Sequence, residues 1–353
     1  MSLPVPSVQA MVAAAGGGGA ARVPARYLRP EVAADAVVAG DGEAAIPAID
    51  FQRLLHPETS RDESARLHEA CQEWGFFQLI NHGVPDDVIE GMKAGVEGFF
   101  GLPAETKKRF AQEPGQLEGY GQLFVVSEDQ KLDWADLLHL YTQPPHHRNM
   151  RFWPDKPDTF RSTLDAYSSA VKSVADRLLG IMSRNLGLRP EVIANRCVGG
   201  GVQSVRMNCY PPCSEADKVV GLLPHSDADL LTLLLQVNEV HGLQVKRDDG
   251  SWVPVRPLDG AFVVNVGDVL QIFTNGRYRS VEHRVVVNAE RERLSVAAFH
   301  SPSVHATIGP LRELVADQEG EVAMYKTVDH ESFMGLFFSA KLESKSFLQR
   351  MKL

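Results

Sequence analysis

The sequence predicts an α+β protein: a sandwich or barrel of short strands in the C-terminal half, carried on helices that precede it and followed by a helical tail. Three observations lead there. Between Gln203 and Phe299, short apolar or alternating runs are separated by turn sequences such as Asp248-Asp249-Gly250 and Asn275-Gly276. Ahead of them, Phe160, Leu164, Tyr167, Val171, Val174, Leu178 and Ile181 recur at steps of three and four, the apolar stripe of one long helix. The 353 residues are 44% hydrophobic and 23% charged, which is globular composition with enough apolar material for a large core.

Residues 1–45, rich in Ala, Gly and Val, read as a flexible N-terminal segment in which Val8 to Ala15 suits a short docked helix. The first 30 residues lack Asp and Glu and carry Arg22, Arg26 and Arg29, as transit peptides do. The scarcity of serine and the run Gly16 to Gly19 favour a plain tail. Ile46 to Asp50 alternates like an edge strand. Ser60-Arg61-Asp62-Glu63 fits a capping box with Ser60 as N-cap; its helix buries Leu67, Ala70, Cys71 and Trp74 and stops at Gly75. Phe76 to Ile80 is a compact strand ended by Asn81-His82-Gly83, with His82 a hydrogen-bonding turn residue. Pro85 opens the next helix, with Asp86 and Asp87 at the positive end of its dipole and Val88, Met92, Val96 and Phe99 inward. Pro103 to Phe110 reads as a further short helix, and Gly115, Gly119 and Gly121 make 113–123 a loop. Leu132 to Asp136 starts a short ordered segment, Pro144-Pro145-His146-His147 is a solvated turn, and the long helix runs from about Pro157 to Asn185 before Gly187.

The strand runs follow: 203–210, 221–224, 230–236, 242–246, 252–255, 261–266, 269–273, 281–288 and 294–299. Residues 324–353 return to helix, with Phe333, Leu336 and Phe337 on one side. The expected organisation is therefore a tail (1–45), an N-terminal lobe (46–150), supporting helices (151–200), the β core (201–304) and a C-terminal helical segment (305–353).

A formal net charge of −9 and the lack of a dense basic run exclude a nucleic-acid-binding surface. Leu230 to Val237, interrupted by Thr232 and Gln236, is far too short to span a bilayer. Cys71, Cys197, Cys209 and Cys213 form no CxxC pair and suit free thiols in a reducing compartment. The expectation is a cytoplasmic monomer acting on a small molecule, with neither membrane nor nucleic acid as partner.

The chemistry gathers between Pro224 and Phe299. His225 and Asp227 are two apart and share a face at a strand end, and His283 lies on another strand of the same β unit. Two imidazoles and one carboxylate hold one side of an octahedral metal and leave the other side open, which suits non-haem Fe(II) activating O₂. Zinc hydrolysis with the same ligands is chemically possible, although no Glu or His stands obviously as a hydrolytic base. An HxD pair alone also occurs as a simple turn. Arg293, Ser295, Ala297 and Phe299 alternate onto one strand face. If that face points inward, Arg293 is a buried cation with no acid at i±2, and a carboxylate ligand held bidentately, with the Ser295 hydroxyl assisting, resolves its cost. If outward, Arg293 belongs to the surface run Glu290-Arg291-Glu292-Arg293.

The combination resembles the plant 2-oxoglutarate- and Fe(II)-dependent dioxygenases. The matching residues are His225-x-Asp227, His283 and Arg293-x-Ser295, with Asn208-Cys209-Tyr210-Pro211-Pro212-Cys213, Gly242-Leu243-Gln244-Val245, Asn265-Val266-Gly267-Asp268 and Asn275-Gly276. Upstream, Trp74-Gly75-Phe76-Phe77 and Asn81-His82-Gly83 match as well, so the likeness covers roughly residues 46–340. Within the family the chain is most similar to the senescence-related-gene-type proteins, alkaloid O-demethylases and specialised-metabolite hydroxylases, and it is also similar to anthocyanidin synthase and flavonol synthase.

The resemblance implies a double-stranded β-helix, or jelly roll, with an N-terminal helical lobe, a long supporting helix and a C-terminal helix. It implies Fe(II) on His225, Asp227 and His283. It implies 2-oxoglutarate with its far carboxylate on Arg293 and Ser295, Tyr210 reaching that carboxylate and Asn208 near the metal end. It implies consumption of O₂, release of succinate and CO₂, support by ascorbate, and hydroxylation, desaturation or O-demethylation of a small aromatic metabolite such as an indole, flavonoid or alkaloid. Matching the substrate wall points to Phe299 and Arg206, to Leu137 and Leu138 where flavonoid enzymes carry an aromatic pair, and to Met334, Phe337 and Phe338 at the pocket mouth. Asp227-Ala228-Asp229 departs from the pattern, since many relatives have glycine at the third position; Asp229 reads as a polar neighbour and not as a fourth ligand. Two other readings remain open: a same-fold Fe(II) oxidase that does not use 2-oxoglutarate, as ethylene-forming oxidases do not, and a non-catalytic jelly-roll binding module.

Overall fold

The strand runs assemble into two facing sheets in the computed structural model, which describes residues 5–14, 23–31, 45–113, 115–122, 127–196, 201–315, 322–342 and 347–353, with Asp35, Val37 and Val125. In chain order, the first half comprises α1 (Val8–Ala14), β1 (Ala48–Asp50), α2 (Phe51–Leu55), α3 (Ser60–Glu73), β2 (Phe76–Ile80), α4 (Asp86–Phe100), α5 (Ala104–Lys108), β3 (Gly119–Gly121), β4 (Asp136–Gln143), α6 (Phe160–Asn185) and α7 (Glu191–Ala194). The strand-rich half comprises β5 (Gly201–Tyr210), β6 (Leu222–His225), β7 (Leu231–Gln236), β8 (Leu243–Lys246), β9 (Trp252–Pro254), β10 (Phe262–Val266), α8 (Asp268–Phe273), β11 (His283–Val285) and β12 (Arg293–Ser303). A small β13 (Thr307–Ile308) and β14 (Val328–Asp329) pair, α9 (Arg312–Val315), α10 (His330–Leu342) and α11 (Phe347–Met351) close the chain.

The major sheet has the order β1-β2-β10-β7-β12-β5-β4-β3, and the minor sheet β6-β11-β8-β9. This is the jelly roll with helices packed outside. The apolar stripe of α6 lies against β4, β5, β7 and β12, with Leu164, Tyr167, Val171 and Leu178 fully buried. Burial of several such side chains, each contributing about 1.5–3 kcal/mol, fixes the sheet on its outer face. The inner face is then free to carry polar residues.

Several elements differ from expectation. Beside its helices the N-terminal lobe supplies the expected strands β1 and β2 to the major sheet, and β3 and β4 join it at the other end; residues 119–121 form a strand paired with β4 where a loop was expected. Ser60 is the first helical residue and not a side-chain cap. Glu63, fully buried, does not close a capping box; it accepts from Asp50 N and meets Arg53 and Arg66, so a tertiary partner overrides the local motif. Ile89 takes the inward place expected of Val88. Residues 269–273 belong to the buried helix α8 and not to a strand. His82 is the expected turn residue: Nδ1 accepts from Val84 N and Nε2 donates to the Gly260 carbonyl. The glycines at 16–19 and Cys197 lie outside the described residues.

The turn before α8 supports the loop that follows β6. Gly267 N donates to Leu230 O (2.9 Å), Asp268 N to Asp227 O (2.7 Å) and Val269 N to Asp229 O (3.2 Å). A Cβ on Gly267 would stand 2.0 Å from the Asp229 carbonyl oxygen. Gly267→Ala must therefore push the 227–229 backbone aside. The expected result is a loss of about 1–3 kcal/mol in unfolding free energy together with weakened divalent-metal binding, measured by denaturant unfolding and by anaerobic metal titration.

Candidate active site

His225 ends β6, and His283 begins β11 directly opposite it in the minor sheet. Asp227 follows in the loop that α8 supports. The three offer one ligand atom each, all within 4.8 Å of one another, the one such group of His, Cys, Asp or Glu among the described residues that could hold a metal ion. Asp227 Oδ1 lies 3.5 Å from His225 Nε2 and 3.8 Å from His283 Nε2.

Each ligand is oriented from behind. His225 Nδ1 donates to the Leu223 carbonyl (2.7 Å) and His283 Nδ1 to the Val281 carbonyl (3.2 Å), so both Nε2 lone pairs face Asp227. Asp227 Oδ2 accepts from Thr232 Oγ1 (2.6 Å) and Asn265 Nδ2 (2.8 Å), which leaves Oδ1 for a cation. Burial alone would raise the Asp227 carboxyl, but His283, His225 and Thr232 together hold it well below the usual range. Burial holds His283 down to about 4, so its imidazole is neutral at neutral pH. A carboxylate beside two imidazoles is the donor set that fits Fe(II).

The inner face of β12 continues the site on the opposite sheet. Its register places Arg293 against Tyr210, Ser295 against Asn208 and Gln236, Ala297 against Arg206, and Phe299 against Ser204 and Thr232. Arg293 is inward and only 2% exposed. Its Nη2 donates to Gln236 Oε1 (2.9 Å), its guanidinium lies 5.3 Å from the Tyr210 ring centre, and its Nε has no partner. No carboxylate forms an ion pair with it among the described residues. Burial lowers the Arg293 pKa and raises that of Tyr210. A buried guanidinium with an orphaned N–H and neutral neighbours is the arrangement that a dianionic cosubstrate completes. A slot of about 30 Å³ runs from Arg293, Ser295, Tyr210 and Asn208 to Asp227 and His283.

A second cavity, about 610 Å³, adjoins the slot at Arg206, Asp227 and Phe299. Arg206 stacks over Phe299 at 5.3 Å, and its Nε is buried without a partner. Val269, Phe333, Met334 and Phe337 give the cavity an apolar side, and Glu118, His139, Tyr141 and Asp229 a polar one. Burial raises the Glu118 carboxyl and lifts that of Asp229 to about 6.

The structure thus brings together His225, Asp227, His283, Asn208, Tyr210, Arg293, Ser295, Arg206 and Phe299. Leu137 and Leu138 are placed elsewhere: neither lines a cavity, and Leu138 is packed in the core. His139 and Tyr141, further along β4, reach the cavity instead. The Phe338 side chain lies outside the described residues. Asp229 is not a fourth ligand; Oδ1 accepts from Ser301 Oγ. Sequence reasoning missed Thr232 and Gln236, whose signal was present as two polar residues inside an otherwise apolar strand.

Residues 46–156 match the N-terminal model of the non-haem dioxygenase in morphine synthesis, and residues 201–302 match that of the 2OG-Fe(II) oxygenase superfamily. The chain belongs to the 2OG-Fe(II) oxygenase superfamily and is an Fe(II)- and 2-oxoglutarate-dependent dioxygenase. It is 47% identical to 2-oxoglutarate-dependent dioxygenase 11 of Oryza sativa subsp. japonica, over 100% of this chain and 97% of the relative. It is 46% identical to oxoglutarate-dependent flavonoid 7-O-demethylase 1 of Ocimum basilicum, over 100% and 92%. The crystal structure of JOX2 in complex with 2OG, Fe and JA superposes with a TM-score of 0.86 at 32% identity, covering 99% of this chain and 98% of that one. Among the described residues no helix is long and apolar enough to cross a membrane.

Thr232→Val and Asn265→Leu each release one restraint on Asp227 Oδ2 without touching a ligand atom. Each is expected to weaken Fe(II) binding about 10–100-fold, read by anaerobic metal titration, with the fold retained by circular dichroism.

Proposed function

We propose that this enzyme oxidises a small, largely aromatic metabolite by hydroxylation, desaturation or O-demethylation, with iron on His225, Asp227 and His283 and 2-oxoglutarate on Arg293 and Ser295. The observation that carries the residue assignment is Arg293: a cation buried on the inner face of β12, on the same slot as Asp227 and His283, with no acid paired to it among the described residues. When bound, iron supplies the activation of O₂ that 2-oxoglutarate decarboxylation drives and that a C–H bond of the substrate consumes.

The chain's own residues orient and exclude. Asp227 and the two histidines would hold the metal, and His225 and Asp227 also line the larger cavity. Arg293 gives up its bond to Gln236 for the far carboxylate, Ser295 and Tyr210 add hydroxyl donors to the same group, and Asn208 sits nearer the metal. Arg206 and Phe299 stand at the slot's junction with the substrate cavity. The apolar side of that cavity, built by Val269 and the α10 residues Phe333, Met334 and Phe337, shields the reacting carbon from water. The aromatic substrate class is supported by this lining and by the relative that demethylates a flavonoid. We read the protein as a cytoplasmic monomer; Cys71, Cys209 and Cys213, all buried and unpaired, suit a reducing compartment.

Arg293→Gln keeps a polar side chain and removes the charge. Affinity for 2-oxoglutarate, measured by anaerobic titration of the Fe(II) enzyme, is expected to fall at least about thirtyfold while Fe(II) affinity stays within about twofold. An unchanged 2-oxoglutarate affinity would overturn the assignment and favour an anchor elsewhere.

A further inference from the structure

The polar side of the 610 Å³ cavity carries a cluster of acceptors beside donors such as Arg206, Asn149 and Ser204. Glu118, just ahead of β3, is 6% exposed; Oε1 accepts from Tyr141 N (3.0 Å), and among the described residues no cation forms an ion pair with it. His139 is 8% exposed, and its Nδ1 donates to the Leu117 carbonyl (3.1 Å). That bond fixes the tautomer: a carbonyl can only accept, so Nε2 is left as an acceptor. Tyr141, two residues along β4, also lines the cavity, close enough for its hydroxyl to feel both the Glu118 and the Asp229 charges. Asp229 is held by Ser301 through Oδ1 alone. No Lys or Arg side chain forms an ion pair with Glu118 or Asp229 among the described residues. Arg206, the one guanidinium lining the cavity, acts on Asp229 only at longer range and stacks on Phe299 instead.

The charges point the same way. Fe(II), the Asp227 carboxylate, the two charges of 2-oxoglutarate and Arg293 sum to zero. The substrate cavity sets two carboxyl groups, Glu118 and Asp229, against the single guanidinium of Arg206 among its described lining residues, in a place where an unpaired acid is costly. A ligand that brings one positive charge and several N–H donors meets both needs. An ammonium carries three donors and no acceptor.

We infer that the substrate carries a protonated amine, seated on the Glu118, His139 and Tyr141 wall and facing Asp229, with its aromatic body against Phe299 and α10. This rests on the reading of the larger cavity as the substrate site. It narrows that site's ligand to aromatic amines, in preference to neutral phenols or aromatic acids.

The test is calorimetric, on the anaerobic enzyme loaded with Fe(II) and 2-oxoglutarate. Matched trios of probes are titrated: tryptamine, tryptophol and indole-3-acetic acid, and the corresponding phenethyl trio. At least one amine is expected to bind at least about tenfold more tightly than its alcohol, and the acid more weakly than either. Glu118→Gln keeps an oxygen to accept from Tyr141 N; it and Asp229→Asn should each shrink the amine-over-alcohol ratio to less than about threefold. The inference is overturned if alcohols or acids bind as tightly as amines, if no amine binds, or if neither variant alters the ratio. The Fe(II)–2-oxoglutarate charge-transfer absorption, recorded on the same samples, separates the two readings. Its absence refutes the cosubstrate assignment, whereas its presence without an amine preference refutes only this inference.

Discussion

The Asp227 carboxylate is the constraint on which the site depends. It is buried between two sheets, where an ion costs several kcal/mol unless every lone pair is used. Thr232 on β7 and Asn265 on β10 bind Oδ2 from the major sheet, and His225 and His283 on the minor sheet face Oδ1. One side chain therefore ties the two layers of the jelly roll to each other. The backbone does the same: α8 begins where Asp268 N binds the Asp227 carbonyl, and Gly267 is required because Asp229 passes too close for any side chain.

A second buried charge balances the first. Arg293 reaches the same interior from β12 and finds only Gln236, Ser295 and Tyr210, all neutral. Asp227 is an anion suited to a dication, and Arg293 is a cation suited to an anion. Each is stabilised incompletely by the groups around it, and on the proposed assignment iron and 2-oxoglutarate would remove the two deficits. Stability and binding are coupled at both positions: iron and 2-oxoglutarate bind the folded chain and shift its unfolding equilibrium by mass action.

Much of this was legible in the sequence because the relevant signals are periodic. The alternation of Arg293, Ser295, Ala297 and Phe299 gave the inner face of β12, and the i, i+2 spacing of His225 and Asp227 gave the ligand pair. Other features were hidden for identifiable reasons. Residues 269–273 form a short, wholly apolar run, and in such a run a buried helix and a buried strand look alike. The capping box at Ser60 failed because Glu63 found a stronger partner in Asp50 and two arginines, a contact no local pattern encodes. Residues 119–121 became a strand only because β4 offers an edge, although glycine-rich sequence reads as loop. Leu137 and Leu138 were placed by motif position, and a motif cannot say which residues of β4 reach the cavity.

The metal and the substrate are read by parts of the fold under different constraints. His283 and Arg293 sit on strands paired on both sides and Asp227 in the loop that α8 braces, whereas His225 ends β6 at the edge of the minor sheet, directly opposite His283. Glu118, His139 and Tyr141 belong to β3, β4 and the residues leading into them, at the far edge of the major sheet, and the opposite wall comes from α10, packed on the outside. β4 is itself paired with both β3 and β5, so of these cavity walls only α10 and the residues ahead of β3 can exchange a side chain without adjusting two ladders. The acid at 229 lies two residues from Asp227 in the braced loop, with Oδ1 held by Ser301. If the larger cavity is the substrate site, as proposed, a carboxylate there favours a ligand that brings a donor.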